Sequence, residues 1–246
     1  MSPTISPDAP AVELPAVAAG RLPPRYALPM QRALLDAIAP LLVENVSILD
    51  VGAGRGPTLA LASRPRGAYY VGLDISADEL GAAEPTAYDA TVVQDVASPI
   101  QVDRAFDLVI SWQVLEHVDR VDLALDNLRE VLKPGGTLVA QLSGSRSVFA
   151  LLARAMPHPL RVSAMTHLLG DAVEDKFPTR FDRCTARWLR QFLATWTSVE
   201  VLAHYRGATY FNFFSPLQRA YLAYENRIEK AAMSELATHY LVIARR

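Results

Sequence analysis

The chain has 246 residues, of which 51% are hydrophobic, and its 24 basic residues nearly balance its 26 acidic ones. A chain of this length and composition can bury a large core as a single domain. The near balance of charge provides no basic field that would attract a phosphate backbone, so nucleic acid is excluded as the expected partner.

The cysteine count and the hydropathy pattern exclude further classes of protein. Cys184 is the only cysteine, which rules out an internal disulfide framework and a cysteine-cluster metal site. No H-x-x-H pattern or carboxylate cluster indicates a metal, so none is expected. No apolar run approaches the roughly 18 residues of a membrane span, and no basic segment followed by an apolar stretch marks the N-terminus. These features favour a cytoplasmic protein.

The first residues and the segment after them differ in character. Residues 1–20 carry four prolines and few large apolar groups, which predicts a disordered Pro-rich tail ahead of one domain over residues 21–246. From Met30 onward the apolar residues follow a helical period, which predicts a first helix. Its apolar side consists of Leu34, Leu35, Ile38, Leu41 and Leu42.

Short apolar runs then alternate with helical segments, the pattern of a parallel sheet with crossover helices. The predicted strands are Ser47–Val51, Tyr69–Asp74, Ala90–Gln94, Phe106–Ser111 and Thr137–Leu142. The predicted helices between them are Pro57–Ser63, Ala77–Glu84, Glu116–Val118 and Asp122–Leu132. The central part of the chain is therefore expected to form an α/β fold.

The alternation pauses after Leu142 and then resumes. The later predicted elements are a helix at Thr185–Thr195, a strand at Val199–Tyr205, a long helix and a final strand at Tyr240–Ala244. Ser215 as N-cap, Pro216 at the first position and Gln218 three residues after the cap predict the start of the long helix. Two late insertions, 144–183 and 207–233, are expected to shape a binding site or a lid.

A glycine-rich run follows the first predicted strand directly. Asp50-Val51-Gly52-Ala53-Gly54-Arg55-Gly56 spaces its glycines G-x-G-x-G, unlike the G-x-G-x-x-G fingerprint of dinucleotide enzymes. Such a turn lets a ligand approach backbone amides, although it also occurs for purely structural reasons. Asp74 ends the second strand, where a carboxylate can bind ribose hydroxyls or cap the next helix, a task that Ser76 already suits.

Five segments in this order resemble the motifs of the class I S-adenosylmethionine (SAM)-dependent methyltransferases, across about residues 30–143. The segments are Ile48–Gly56, Gly72-Leu73-Asp74, Phe106–Val109, Val114-Leu115-Glu116-His117-Val118 and Val131–Gly136. They are most similar to the branch containing the ubiquinone and menaquinone biosynthesis methyltransferases. The resemblance implies a Rossmann-like seven-stranded, mostly parallel sheet with helices on both faces and a C-terminal antiparallel strand.

The same resemblance implies SAM as the cofactor and assigns residues to it. Gly52, Gly54 and Gly56, after Asp50, would line its methionine and ribose portion. Asp74, followed by Ile75, would hold the ribose hydroxyls. Asp95 would accept from the adenine amino group, and the Val96 amide would meet the ring. Ser111 and Trp112, just beyond the fourth strand, would lie beside the sulfonium.

The acceptor is harder to predict from the sequence. A hydroxyl acceptor needs a base, and His117 at the expected pocket edge is the leading candidate, with packing or capping of its short helix as the alternative. His158, His167, Tyr205 and Tyr210 lie in or near the insertions and are further candidates. No D/N/S-P-P-Y/F/W motif follows the fourth strand, which disfavours methylation of nucleic acid bases.

Segment Gly144–Gly170 has arginines and apolar residues but no acidic residue. This composition suits a lid over a hydrophobic acceptor, a peripheral membrane or lipid contact, or a helix packed on the sheet. The leading hypothesis is O-methylation of a hydrophobic, lipid-like or natural-product-like small molecule. The alternatives are a catalytically inactive SAM-binding module and an NAD-linked oxidoreductase; the oligomeric state is left open.

Overall fold

The computed structural model describes residues 22–155 and 179–246, without the side chains of Ala153 and Ala155. A seven-stranded sheet forms its centre, in the order β3-β2-β1-β4-β5-β7-β6. The strands are β1 (Ser47–Val51), β2 (Tyr69–Asp74), β3 (Ala90–Val93), β4 (Phe106–Trp112), β5 (Leu132–Ser143), β6 (Ser198–His204) and β7 (His239–Arg245). Only β7 runs antiparallel to its neighbours, β5 and β6, which confirms the predicted fold class.

Helices cover both faces of the sheet. They are α1 (Met30–Ile38), α2 (Ala77–Gly81), α3 (Val121–Val131), α4 (Val148–Ala155), α5 (Ala186–Phe192) and α6 (Ser215–Lys230). Leu34 and Ile38 of α1 pack in a cluster with β1, β4 and β5. Leu128 of α3 and Leu189 of α5 belong to the larger cluster on the opposite face. The helices α1, α3 and α5 thus bury their apolar sides against the sheet.

The strand order places a crevice between β1 and β4. From β1 the chain builds outward to β2 and β3, then returns to β4 on the other side. The two halves diverge there, and ligands of open α/β sheets bind outside the carboxyl ends of the strands at this point. The glycine-rich turn after β1 lies at that edge.

The helix predicted at Pro57–Ser63 is wrong, because the segment holds only one 3₁₀ turn, Leu61–Ser63. Pro65 restricts the residue before it, and Arg64 is extended at ψ 137°. The Thr58 N–H donates to Asp50 and the Leu59 N–H to the Tyr70 hydroxyl, so side chains replace helical acceptors. No helix N-terminus therefore follows the glycine turn directly.

The capping box predicted at Ser215 is also wrong. Helix α6 includes Ser215, its N-cap is Phe214, and no side chain caps it. The Gln218 side-chain amide donates to the Ala208 carbonyl at 3.3 Å instead of returning to the start of the helix. The helix predicted at Ala77–Glu84 ends early, at Gly81.

The segment before α1 is attached to α6. Tyr26 is buried and donates its hydroxyl to Glu225, while Arg25 pairs with Glu229 at 2.7 Å. The Tyr26 hydroxyl also accepts from the Ala208 N–H at 3.0 Å. Residues from opposite ends of the chain thus share one buried polar network.

Residues 1–20 lie outside the described residues, and the tail assignment stays a prediction. We expect their deletion to leave the melting temperature unchanged, because their composition buries little surface. Tyr26→Phe provides the contrast, because it removes one of the donors to Glu225 and leaves the Ala208 amide without its acceptor. It should cost about 1–3 kcal/mol. Thermal unfolding of both variants is the measurement. A sharp fall in melting temperature for the deletion would contradict the prediction.

Within the described part of the chain, no helix has the length and apolar character required to cross a bilayer.

Candidate active site

The turn after β1 presents open space beside its glycines. The Gly52 and Ala53 N–H groups both donate to the Leu73 carbonyl, at 2.8 and 3.1 Å, which fastens the turn to β2. Gly52 and Gly54 adopt φ values of +71° and +53°, which side chains disfavour. A Cβ on Gly52 would lie 2.1 Å from a Val114 methyl, whereas a Cβ on Gly54 would meet only Asp74, at 3.9 Å. The space beside Gly54 is available to a ligand.

Asp74 lies at the end of β2, facing this space. One carboxylate oxygen accepts from the Ser76 N–H at 2.8 Å and the other from the Gly54 N–H at 2.9 Å. Burial raises the pKa of the Asp74 carboxyl, and these two hydrogen bonds oppose that rise. Each oxygen keeps capacity for one further donor, as a pair of ribose hydroxyls would require. The next side chain, Ile75, is 57% exposed and provides an apolar surface at the edge of the site.

The third strand ends at Val93, two residues before Asp95. Asp95 is exposed and accepts from the Ala97 N–H at 2.9 Å, while Val96 is buried. The pair lies in the loop after β3, further along the same sheet edge than Asp74. Their predicted contacts with an adenine ring remain a prediction.

Asp50 is fully buried and has internal partners. It accepts from the Thr58 amide at 2.7 Å, the Thr58 hydroxyl at 2.8 Å and the Tyr70 hydroxyl at 2.6 Å. Burial raises its pKa to about 6, although these hydrogen bonds favour the charged form. Asp50 therefore stabilises the segment after the glycine turn, and a cofactor contact from it stays a prediction.

Ser111 and Trp112 were predicted to lie together beyond the fourth strand, but both belong to β4. Consecutive strand residues face opposite sides of a sheet. Trp112 packs with the α1-side cluster, which also contains Ile110. Ser111 is fully buried on the other side, and its hydroxyl has no partner among the described residues. Only one of these side chains can therefore project to a given face of the cofactor crevice.

A cavity of about 120 Å³ lies at the carboxyl ends of β4 and β5. It is lined by Gln113, Glu116, His117, Ser143, Ser147, Phe149, Ala150, Thr179, Phe181, Tyr210 and Thr238. Both late insertions contribute to its wall. The Phe149 and Tyr210 rings stack with centroids 4.0 Å apart, which gives one wall an aromatic surface.

Two adjacent polar residues present unpaired atoms at this cavity. His117 Nδ1 and one Glu116 carboxylate oxygen are buried without a partner among the described residues. The other Glu116 oxygen accepts from the Ser143 amide and hydroxyl, at 3.1 and 2.8 Å. Burial raises the pKa of the Glu116 carboxyl. An unpaired buried carboxylate and imidazole at one cavity can accept a proton from a bound molecule.

The sequence prediction included His117 and Tyr210 but omitted Glu116 and His239. Glu116 lies next to His117 in the same motif, and from this position it could have been predicted as a site residue. His239 pairs through its backbone with β5 and β6, and its Nε2 lies 3.5 Å from the Tyr210 hydroxyl. Its Nδ1 is buried without a partner among the described residues. Burial lowers the pKa of His239 to about 3, which keeps it neutral. In the sequence, His239 is a single histidine at the start of an apolar strand, and nothing there indicated that it would lie beside Tyr210.

Other candidates are placed elsewhere or not described. Tyr205 lines a different groove, against the segment before α1. His158 and His167 lie outside the described residues, as does Gly144–Gly170 beyond Ala155. Among residues 22–155 and 179–246, no group of three His, Cys, Asp or Glu side chains is arranged to hold a metal ion.

Residues 25–213 match the family model of a methyltransferase domain, which is more than half of the chain. The chain belongs to the class I SAM-dependent methyltransferases. This membership confirms the predicted family and SAM as the cofactor, and it contradicts the alternative of an NAD-linked oxidoreductase. The residues at the β1–β4 edge fit such a cofactor, since Gly54 leaves space and Asp74 retains acceptor capacity.

The chain is similar to ubiquinone biosynthesis O-methyltransferases. That of Nitrobacter winogradskyi is 35% identical over 126 residues, 48% of this chain and 46% of the relative. That of Chelativorans sp. is 31% identical over 150 residues, 58% of each chain. The chain thus matches about half the length of these relatives. Phosphoethanolamine N-methyltransferase 2 of Haemonchus contortus, solved with SAM, has the same fold, with TM-score 0.55, 15% identity and coverage of 88% of this chain and 52% of that one.

Proposed function

We propose that this methyltransferase transfers a methyl group from SAM to a hydroxyl of a small, hydrophobic, ring-containing acceptor. The observation that carries the proposal is one cavity lined by an aromatic pair and by His117 and Glu116, each with a buried atom that has no partner among the described residues. The similarity to O-methyltransferases of ubiquinone biosynthesis supports a phenol or quinol as the acceptor.

The cofactor site and the cavity occupy neighbouring parts of one sheet edge. We assign the ribose to Asp74, the methionine portion to the space beside Gly54, and the adenine to the loop at Asp95 and Val96. SAM supplies an electrophilic methyl group when it is bound. Val114 connects the two sites, since it packs over Gly52 and lies two residues before Glu116.

The cavity residues need only to position the acceptor and to accept its hydroxyl proton. Methyl transfer is an in-line displacement, so fixing the acceptor oxygen near the methyl group can supply roughly 7–11 kcal/mol of the barrier. The aromatic wall of Phe149 and Tyr210 would orient a ring, and Gln113 and Ser143 would bind its polar substituents. His117 would accept the hydroxyl proton, with Glu116 beside it to stabilise the resulting imidazolium.

We expect Asp74→Ala to weaken SAM binding by about 1.5–3 kcal/mol, because hydrogen bonds to a charged carboxylate would be lost. The fold should survive, since the residue lies at the sheet edge. Calorimetric titration with SAM is the measurement. Asp78→Ala is a matched control, because Asp78 lies nearby in the first turn of α2 and is exposed. Equal SAM affinity in the two folded variants would refute the assignment of Asp74.

Product formation tests the proposed reaction. The protein would be incubated with SAM and a panel of phenols and quinols, and the products analysed by mass spectrometry. A methyl ether that requires both SAM and intact protein supports the proposal. Binding of SAM without product from any phenol, quinol or amine in the panel would favour the inactive SAM-binding alternative.

A further inference from the structure

A second and larger groove, of about 310 Å³, lies at the far end of the same sheet edge. One wall is formed by the segment before α1 and the start of that helix, and the other by the end of edge strand β6. It is lined by Pro24, Arg25, Leu28, Pro29, Arg32, Ala33, Asp36, Ala203, His204, Tyr205, Arg206 and Glu229. It shares no residue with the cavity that contains His117.

Three arginines face this groove, and two of them have carboxylate partners. Arg32 pairs with Asp36 at 2.7 Å, and Arg25 pairs with Glu229 at 2.7 Å. Arg206 has no carboxylate within salt-bridge distance in the described part of the chain. Its hydrogen bonds are to the Leu28 carbonyl and, at 3.9 Å, to the Met30 sulfur, which is a weak acceptor.

Arg206 is therefore a partly buried cation with N–H donors that no carboxylate of the described residues accepts from. Its guanidinium lies 5.5 Å from the centre of the Tyr26 ring, a favourable contact that uses the face of the ring and no acceptor atom. Burial lowers the pKa of Arg206. Removing such a charge from water is costly unless an anion compensates it.

His204, two residues earlier, adds a second unused group. Its Nε2 is inaccessible and unpaired among the described residues. Burial lowers the pKa of His204, and the charge of Arg206 lowers it further. A neutral imidazole adds no second positive charge to the groove.

We propose that this groove binds a small molecule with one carboxylate group, held by Arg206, and an apolar body. The charges that line the groove select the class of anion. Three arginines and two carboxylates leave one net positive charge, which matches a monoanionic carboxylate better than a dianionic phosphate. A planar guanidinium also pairs with a carboxylate through two parallel hydrogen bonds. Leu28, which is exposed, and Pro29 and Ala203 supply apolar surface for the rest of the ligand.

Benzoate is a suitable probe, and benzamide is its neutral counterpart of the same shape. We expect calorimetric titration of the full chain to show saturable benzoate binding and no benzamide binding. Arg206→Gln should weaken benzoate binding roughly 10- to 150-fold, the equivalent of losing hydrogen bonds to a charged group. Arg32→Gln is the matched control and should change it less than two-fold, since Arg32 is exposed and paired.

Several results would overturn the proposal. They are the absence of saturable benzoate binding, equal effects of the two arginine variants, and tighter binding of inorganic phosphate than of benzoate. If Arg206→Gln does not fold, Ala33→Leu replaces it, because Ala33 lines the groove on α1 and a larger side chain there would fill the groove and should abolish binding. SAM affinity should be unchanged in both variants, so this proposal can fail independently of the proposed methyl transfer.

Discussion

We expect His117→Ala to lower kcat by roughly 10²–10⁴-fold on a hydroxyl acceptor while SAM affinity stays nearly unchanged, because general base catalysis contributes about this much. In the part of the chain that the structure describes, the buried imidazole Nδ1 has no partner, so a hydroxyl bound in the cavity could donate to it. The residue lies in the 3₁₀ turn after β4, apart from the glycine turn and Asp74. Its loss should therefore affect the chemical step and not cofactor binding.

Two further variants make this prediction specific. His117→Gln keeps a polar side chain that cannot act as the base, and it should lose as much activity as His117→Ala. A folded His117→Ala protein within a few-fold of wild type would remove His117 from the mechanism. A large loss in Glu116→Gln alone would then identify Glu116 as the base.

The second prediction concerns stability and Asp50. Burial raises its pKa to about 6, whereas an aspartate in the unfolded chain titrates near 3.9. Between these values the folded state holds a proton that the unfolded state has released, so this group makes stability fall as pH rises. A difference of about two pKa units corresponds to about 3 kcal/mol of stability lost between pH 4 and pH 6.

Asp50→Asn is the appropriate comparison, because it keeps the shape of the side chain and cannot ionise. We expect the free energy of unfolding of Asp50→Asn, relative to wild type, to rise by about 3 kcal/mol from pH 4 to pH 6.5. Denaturant unfolding of both proteins across this range is the measurement. Taking the difference removes contributions from Asp74 and Glu116, whose pKa values are also raised by burial. A difference that does not vary with pH would show that Asp50 is ionised throughout.

The sequence predicted the structure best where an element depends only on the pattern of neighbouring residues. The bounds of β1 and β2 were predicted to the residue, since a buried parallel strand is a continuous apolar run bounded by turn residues. The glycine turn and Asp74 followed from the same logic, because they adjoin those strands directly. The prediction of a helix after Pro57 was wrong, because side-chain acceptors and Pro65 oppose the helical tendency of that segment.

The sequence by itself thus determined the sheet, the family and the cofactor edge, because these depend on short-range pattern and on motifs in a fixed order. Only the tertiary structure decided which polar groups remain unpaired at a cavity or groove. Glu116, His239 and Arg206 are unremarkable in the sequence, and their partners or lack of partners arise from strands and helices distant along the chain. Burial and pairing are properties of the packed molecule, so no local pattern could have shown that the cavity at His117 and the groove at Arg206 are separate.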